Sequence, residues 1–201
     1  MTPEAVLFDL DGTLVDTALD FFSVVNSLRQ EEGLPALTDC AIREQVSNGG
    51  VALACLTWEI ERSHPDIQNY RQRLLDRYEN TVGKEAQLFP GFTTLLNELQ
   101  RHSIPWGIVT NKPRLYTDLL LARMPLACEF VVCPEDVERS KPAPDSLLLC
   151  ASQMNVHPSN CWYVGDHIRD IDAAKAAGMT SIAALFGYIA VSYTHLRAHE
   201  T

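Results

Sequence analysis

The sequence is short of positive charge. Sixteen lysines and arginines stand against 26 aspartates and glutamates in 201 residues, a formal net charge of −10. Nothing in that balance would neutralise a nucleic-acid backbone or an anionic membrane, so neither is expected as a partner. The six cysteines, Cys40, Cys55, Cys128, Cys133, Cys150 and Cys161, are scattered and form no CxxC pair. Such spacing carries no zinc signature and fits reduced thiols in a cytoplasmic protein. No apolar run approaches the roughly 20 residues a membrane helix needs. There is no basic leader followed by an apolar stretch, no internal repeat and no low-complexity segment. What remains is an ordinary globular composition, 46% hydrophobic and 21% charged, long enough for one core or a core with a small insertion. The protein is expected to be soluble, cytoplasmic, and a monomer or homodimer.

What is present is organised around Val6 to Val15, reading Val-Leu-Phe-Asp-Leu-Asp-Gly-Thr-Leu-Val. The apolar run Ala5 to Phe8 is too brief for a helix and reads as a buried strand. It ends on Asp9 and Asp11, whose side chains leave the sheet on the same side if strand geometry persists. Two like charges that close need a cation or a shared proton. Gly12 then allows a sharp turn, which Thr13 can hydrogen-bond. Together these residues suggest a magnesium-holding site that receives a phosphate. Alone, the pair is also what two solvated carboxylates at a strand–loop junction would look like.

Beyond Asp16 the period changes. Val15, Leu19, Phe22, Val25 and Leu28 recur at helical steps until Gly33 and Pro35 break the run. Thr38 or Asp39 caps a second helix through Val46, a third covers Val51 to Glu61, and a fourth runs from about Asp66 to Gly83, with Ile67, Tyr70, Leu74, Tyr78 and Val82 on one face. Residues 17–85 are therefore expected to be all-helical. After Pro90-Gly91, helices alternate with strands at Trp106 to Thr110, Phe130 to Cys133, Cys161 to Gly165 and Thr180 to Phe186. That alternation predicts a parallel sheet covered on both faces. The candidate polar groups fall at strand ends: Asp9 and Asp11 after the first strand, Thr110 and Asn111 after the second, Asp166 after the fourth. Ligands in open parallel sheets sit beyond those ends. Lys141, in Ser-Lys-Pro-Ala-Pro, offers one ammonium to a dianionic phosphate.

These segments, in this order, resemble the motifs of the haloacid dehalogenase-like hydrolases, over about residues 4–190. The resemblance implies an α/β fold, a Rossmann-like parallel sheet of order 5-4-1-2-3 made from residues 1–16 and 86–190, with residues 17–85 as an inserted helical cap. It also implies a magnesium-dependent phosphomonoesterase acting on a small phosphorylated metabolite. Asp9 matches the nucleophile that becomes an aspartyl phosphate, and Asp11 the general acid and then base. Thr110 matches a hydroxyl donor to the phosphoryl group, beside Asn111 and Gly12, and Lys141 the charge-balancing lysine. Mg2+ would be held by Asp9, Asp166 and the main chain of Asp11, with Asp170 steadying the site from behind. His167 departs from the family pattern, which often has a small hydroxyl residue or an acid there.

The helical insertion, Val-Thr-Asn-Lys-Pro at Val109 to Pro113 and Phe186-Gly187-Tyr188-Ile189 resemble the phosphoglycolate phosphatase-like branch. They also resemble the bacterial N-acetylmuramic acid 6-phosphate phosphatases, a close sister group and the first alternative to a phosphoglycolate phosphatase-like activity. A β-phosphoglucomutase-like isomerase and a non-catalytic phosphate-binding relative are the further alternatives. Ser47, Asn48, Gly49 and Gly50 form the cap loop expected to meet substrate, and Arg43 and Arg62 are candidate carboxylate readers. Residues 191–201 lack apolar periodicity and do not resemble the family's usual further strand and helix. They are expected to be a non-native tail, so His195 and His199 are not read as a metal pair.

Overall fold

The computed structural model describes residues 2–188; the expected non-native tail, with His195 and His199, lies outside them. Ala5–Phe8 (β1) is buried at every position, as an apolar run in the middle of a parallel sheet must be. It lies between Trp106–Val109 (β4) and Cys161–Gly165 (β6), and Phe130–Val132 (β5) and Thr180–Ala183 (β7) complete the edges. The sheet order is β5-β4-β1-β6-β7 and every pairing is parallel. Numbered within this sheet alone, the strands run 3-2-1-4-5, or 5-4-1-2-3 from the other edge. The last strand stops at Ala183, short of the expected Phe186, and Leu185 and Phe186 are exposed.

Strand alternation splits the core into two layers. Ala5 and Leu7 face Asp145–Gln153 (α7) and Ile168–Ala177 (α8), where small residues such as Ala151, Ala173 and Ala174 allow close approach. Val6 and Phe8 face Phe92–Arg101 (α5) and Arg114–Arg123 (α6), with Phe8 edge-on to Phe92 at 5.6 Å between ring centroids. Beside α5 this second face opens into an apolar groove of about 750 Å³ whose lining includes Val6, Phe8, Leu95, Trp162, Val164 and Phe186.

Between residues 17 and 86 the chain is helical: Ala18–Glu31 (α1), Asp39–Val46 (α2), Gly49–Trp58 (α3) and Ile67–Glu79 (α4). Thr38 caps α2 through its hydroxyl. The expected third helix starts earlier and ends at Trp58, where Glu59 adopts a left-handed conformation. A feature absent from the sequence expectation is a ribbon of two antiparallel two-residue strands, Val15–Asp16 (β2) and Gln87–Leu88 (β3), at the point where the chain leaves the sheet and returns. Two residues per strand are too few to show a period, so by periodicity alone Val15 reads with the helix that follows. The buried Asp20 carboxylate ties the return down by accepting the N–H groups of Gly83, Glu85 and Ala86 at 2.6, 2.8 and 3.2 Å.

Candidate active site

The site lies beyond the carboxyl ends of β1, β4 and β6, under the helical segment. Asp9 follows β1 and donates its N–H to Val164, extending the pairing by one residue. There the strand ends, so the condition for reading Asp9 and Asp11 as strand neighbours is not met, although both still line the same cavity. The chain turns through Gly12, at φ +80°, and Asp11 instead makes an isolated bridge to Val15. Each aspartate has its own lysine. Lys141 Nζ lies 2.9 Å from Asp9 Oδ1, and Lys112 Nζ lies 2.8 Å from Asp11 Oδ1, which also accepts the Thr17 hydroxyl at 2.5 Å.

Lys141 is buried and fully engaged. Its ammonium reaches Val109 O, the Tyr163 hydroxyl and Asp170 Oδ1 at 2.9, 2.7 and 2.8 Å besides Asp9. Burial alone would lower its pKa, but Asp170 and Asp9 outweigh burial and hold the ammonium above its ordinary value. Asp170 is spent on this task. Its Oδ1 serves Lys141 and Tyr163, and its Oδ2 accepts the His167 N–H at 3.0 Å. His167 turns out to be a helix cap: its ring accepts the Arg169 N–H at the start of α8, and burial lowers its pKa.

Asp9, Asp166 and Asp170 place one carboxylate oxygen each within 4.8 Å of one another. Burial pushes Asp9 up to about 8, with Asp170 adding to the rise and Lys141 opposing it. Burial also raises Asp166 to about 6, against the pull of the Tyr188 N–H on its Oδ2. Three buried carboxyls face one ammonium, so the excess negative charge and the all-oxygen donor set fit a hard divalent cation. Asp170 has both oxygens in short bonds, whereas Asp166 accepts the Tyr188 N–H at 2.8 Å and only long contacts from Thr13 and Ser47 at 3.4 and 3.5 Å, so Asp9 and Asp166 are the side chains better placed to bind one. Packing around Asp166 demands glycine: a Cβ on Gly12 would lie 2.4 Å from Asp166 Oδ2, and one on Gly187 2.4 Å from Asp166 Cβ.

The remaining expected residues divide. Thr110 is buried at the end of β4, and its Oγ1 accepts the Lys112 N–H at 3.0 Å, which leaves its own proton free for a ligand. Asn111 Nδ2 donates to Lys141 O at 2.8 Å, bracing the lysine's loop. Asp9, Asp11, Thr110, Asn111 and Lys141 all line one cavity of about 270 Å³. Ser47, Gly49 and Gly50 reach it from the helical segment. Asn48 turns away, its amide bonded to Glu44 O and Gln45 Oε1. Arg43 pairs with Asp16 at 2.7 Å, and Arg62 is exposed and outside the lining.

Several residues of the site were not singled out from sequence. Lys112 stood next to the Thr110-Asn111 pair, and its position in Thr-Asn-Lys-Pro was the available signal. Tyr163 lies inside the fourth sheet strand with no polar neighbour in sequence to mark it, and Tyr188 enters the sequence reading only within Phe186-Gly187-Tyr188-Ile189. Arg71 sits with Leu75 and Tyr78 at positions i, i+4 and i+7 of α4, a stripe that lines the cavity.

A family model described as haloacid dehalogenase-like hydrolase matches residues 6–184. The chain belongs to that family. Among relatives of this haloacid dehalogenase-like hydrolase, the N-acetylmuramic acid 6-phosphate phosphatase of Pseudomonas aeruginosa is 37% identical over 191 residues, covering 94% of this chain and 84% of its own. The phosphoglycolate phosphatase of Xanthomonas campestris pv. campestris is 41% identical over 191 residues, covering 92% and 85%. A crystal structure of a haloacid dehalogenase-like hydrolase from Bacteroides fragilis superposes with a TM-score of 0.79 at 23% identity over 95% of this chain and 91% of that one, a likeness that speaks to the fold alone. Among the described residues no helix is long and apolar enough to cross a membrane.

Proposed function

We propose that this haloacid dehalogenase-like hydrolase is a Mg2+-dependent phosphomonoesterase that works through an aspartyl phosphate on Asp9, with residues 17–85 as its cap and residues 1–16 and 86–190 as its core. The observation that carries the reading is Asp9 itself. Its Oδ1 is held by Lys141 and by the Leu10 N–H at 2.7 Å, while no hydrogen bond among the described residues reaches its Oδ2, and its carboxylate faces the cavity.

A phosphoryl group placed against Asp9 is attacked by Oδ2. The new bond runs from phosphorus to Oδ2, and the bond that breaks runs from phosphorus to the ester oxygen. Lys141 offsets charge on the nucleophile and the phosphoryl oxygens, and the Thr110 hydroxyl donates to one of them. Lys112 and Thr17 both hold Oδ1 of Asp11, which leaves Oδ2 as the oxygen through which a proton passes to the leaving group. Asp11 then takes a proton from the water that attacks phosphorus, which releases inorganic phosphate and restores Asp9. Mg2+, held by Asp9, Asp166 and the Asp11 carbonyl, would supply charge neutralisation for the transferring group.

The named relatives act on phosphoglycolate and on N-acetylmuramic acid 6-phosphate, and both esters carry a carboxylate. A cavity of about 270 Å³ lies near the lower end of small-molecule pockets, which begin at about 300 Å³. The test is release of inorganic phosphate from each ester, side by side, with Mg2+ and with a chelator. Release that the chelator stops, with a preference for one ester, supports the reading and names the substrate. A folded protein that releases phosphate from neither would instead favour a mutase or a non-catalytic phosphate-binding protein.

A further inference from the structure

Arg71 is the one cavity-lining cation from the helical segment, and among the described residues it has neither a carboxylate within salt-bridge distance nor a hydrogen-bond partner for its guanidinium. Its fellow arginines there are otherwise committed. Arg29 pairs with Glu59, Arg43 with Asp16, Arg73 with Glu32 and Arg77 with Glu31, while Arg62 is exposed. The geometry of α4 explains the difference. Arg73 and Arg77 are four residues apart and face the C-terminal acids of α1, whereas Arg71 lies about two residues round the helix and shares its face with Leu75 and Tyr78. All three of those residues line the cavity. The Arg71 side chain runs across Gly50: a Cβ there would lie 3.6 Å from its Cγ and its Nε. The other cations of the cavity are taken, Lys141 by Asp9 and Asp170, Lys112 by Asp11, and Arg169 by the Ser47 carbonyl.

A half-buried guanidinium without a partner is costly unless something else satisfies it, and its planar fork suits a carboxylate. The phosphoryl-transfer groups occupy the core side of the same cavity. We propose that Arg71 is the residue that reads a carboxylate on the substrate, so that the enzyme selects phosphate monoesters bearing a carboxylate over those without one. This assignment rests on the phosphomonoesterase reading above. Arg71 is a specificity residue, and it touches the part of the substrate that does not react. Neither Arg43 nor Arg62 is placed to do this.

The experiment compares 2-phosphoglycolate with ethyl phosphate, which lacks the carboxylate, in steady-state kinetics of the wild type, Arg71→Met and Arg71→Lys with Mg2+ present. In Arg71→Met the ratio of kcat/KM for the two esters falls about 10- to 100-fold, as expected for one charge-assisted hydrogen-bonding group, mostly through KM. Arg71→Lys recovers part of it. Calorimetric titration of 2-phosphoglycolate into Asp9→Asn, alone and combined with Arg71→Met, reads the same loss as a weaker Kd without turnover. An unchanged ratio in an active, folded Arg71→Met enzyme overturns the assignment while leaving the phosphomonoesterase reading standing. A wild type that releases phosphate from neither ester and from no N-acetylmuramic acid 6-phosphate removes both.

Discussion

The ammonium of Lys112 lies 2.8 Å from Oδ1 of Asp11 and 4.9 Å from the centroid of the Tyr78 ring on α4. One side chain therefore orients the proposed acid and meets the helical segment above it. Burial would lower the pKa of Lys112, but Asp11 and Tyr78 outweigh it and keep the ammonium charged. Replacing Lys112 by Ala is expected to lower kcat at least about 10-fold, part of the about 10²–10⁴ that a positioned acid–base group supplies. The loss should shrink for p-nitrophenyl phosphate, whose leaving group needs no proton. An equal loss with both kinds of ester would show that Lys112 only supports the fold.

Asp9→Asn removes the attacking carboxylate but keeps its shape, so turnover should disappear while the melting temperature stays near that of the wild type. Turnover at the wild-type rate would sink the mechanism. Lys141→Ala is different, because it leaves Asp9 and Asp170 buried without their shared cation. It should cost roughly 3–5 kcal/mol of stability as well as activity, the usual penalty for breaking a buried pair. Urea denaturation of the two variants separates the effects.

Gly12→Ala tests the crowding around Asp166. The added Cβ would stand 2.4 Å from Asp166 Oδ2 and 2.8 Å from Tyr188 Cδ2, at φ +80°. The backbone strain alone costs about 1–3 kcal/mol. Because the clash falls on a proposed metal ligand, Mg2+ affinity measured by titration calorimetry should fall too. A variant with full Mg2+ affinity and stability would contradict this packing.

The pH dependence follows from the acidic cluster. Asp9 and Asp166 have folded-state values of about 8 and about 6, above the ordinary 3.8. Each therefore binds its proton more tightly folded than unfolded, and its contribution to stability is fully present below about pH 4 and lost progressively by about pH 6 for Asp166 and about pH 8 for Asp9. Without a divalent cation, Tm should fall between about pH 4 and pH 8. Mg2+ should flatten that slope, and its affinity should rise with pH because it displaces those protons. A chelated protein that gains stability across this range would refute the assignment.

Asp20→Ala removes one buried acceptor from three backbone donors, those of Gly83, Glu85 and Ala86. Roughly 1–3 kcal/mol of destabilisation is expected, because Ala86 is buried and its N–H would be left unsatisfied, whereas the half-buried Gly83 and the exposed Glu85 can turn to water. The check is chemical denaturation together with hydrogen exchange, which should open first at residues 83–86.

Much of this protein is legible without coordinates. The apolar run of β1, the alternation of strand and helix after residue 90, and the helical period of residues 17–85 follow from local periodicity, which depends on neighbours in the chain. That Asp9, Thr110, Lys141 and Asp166 gather at one end of the sheet was legible too, because each sits at a strand end or in a short loop beside recognisable turn residues. Partnership was not legible. Only tertiary structure gives Asp9 and Asp11 a lysine each, spends Asp170 on Lys141 and leaves Arg71 rather than Arg43 or Arg62 facing the cavity. The physical reason is that a charge's role depends on which opposite charge or dipole the fold brings within about 3 Å, and those partners lie tens of residues away along the chain.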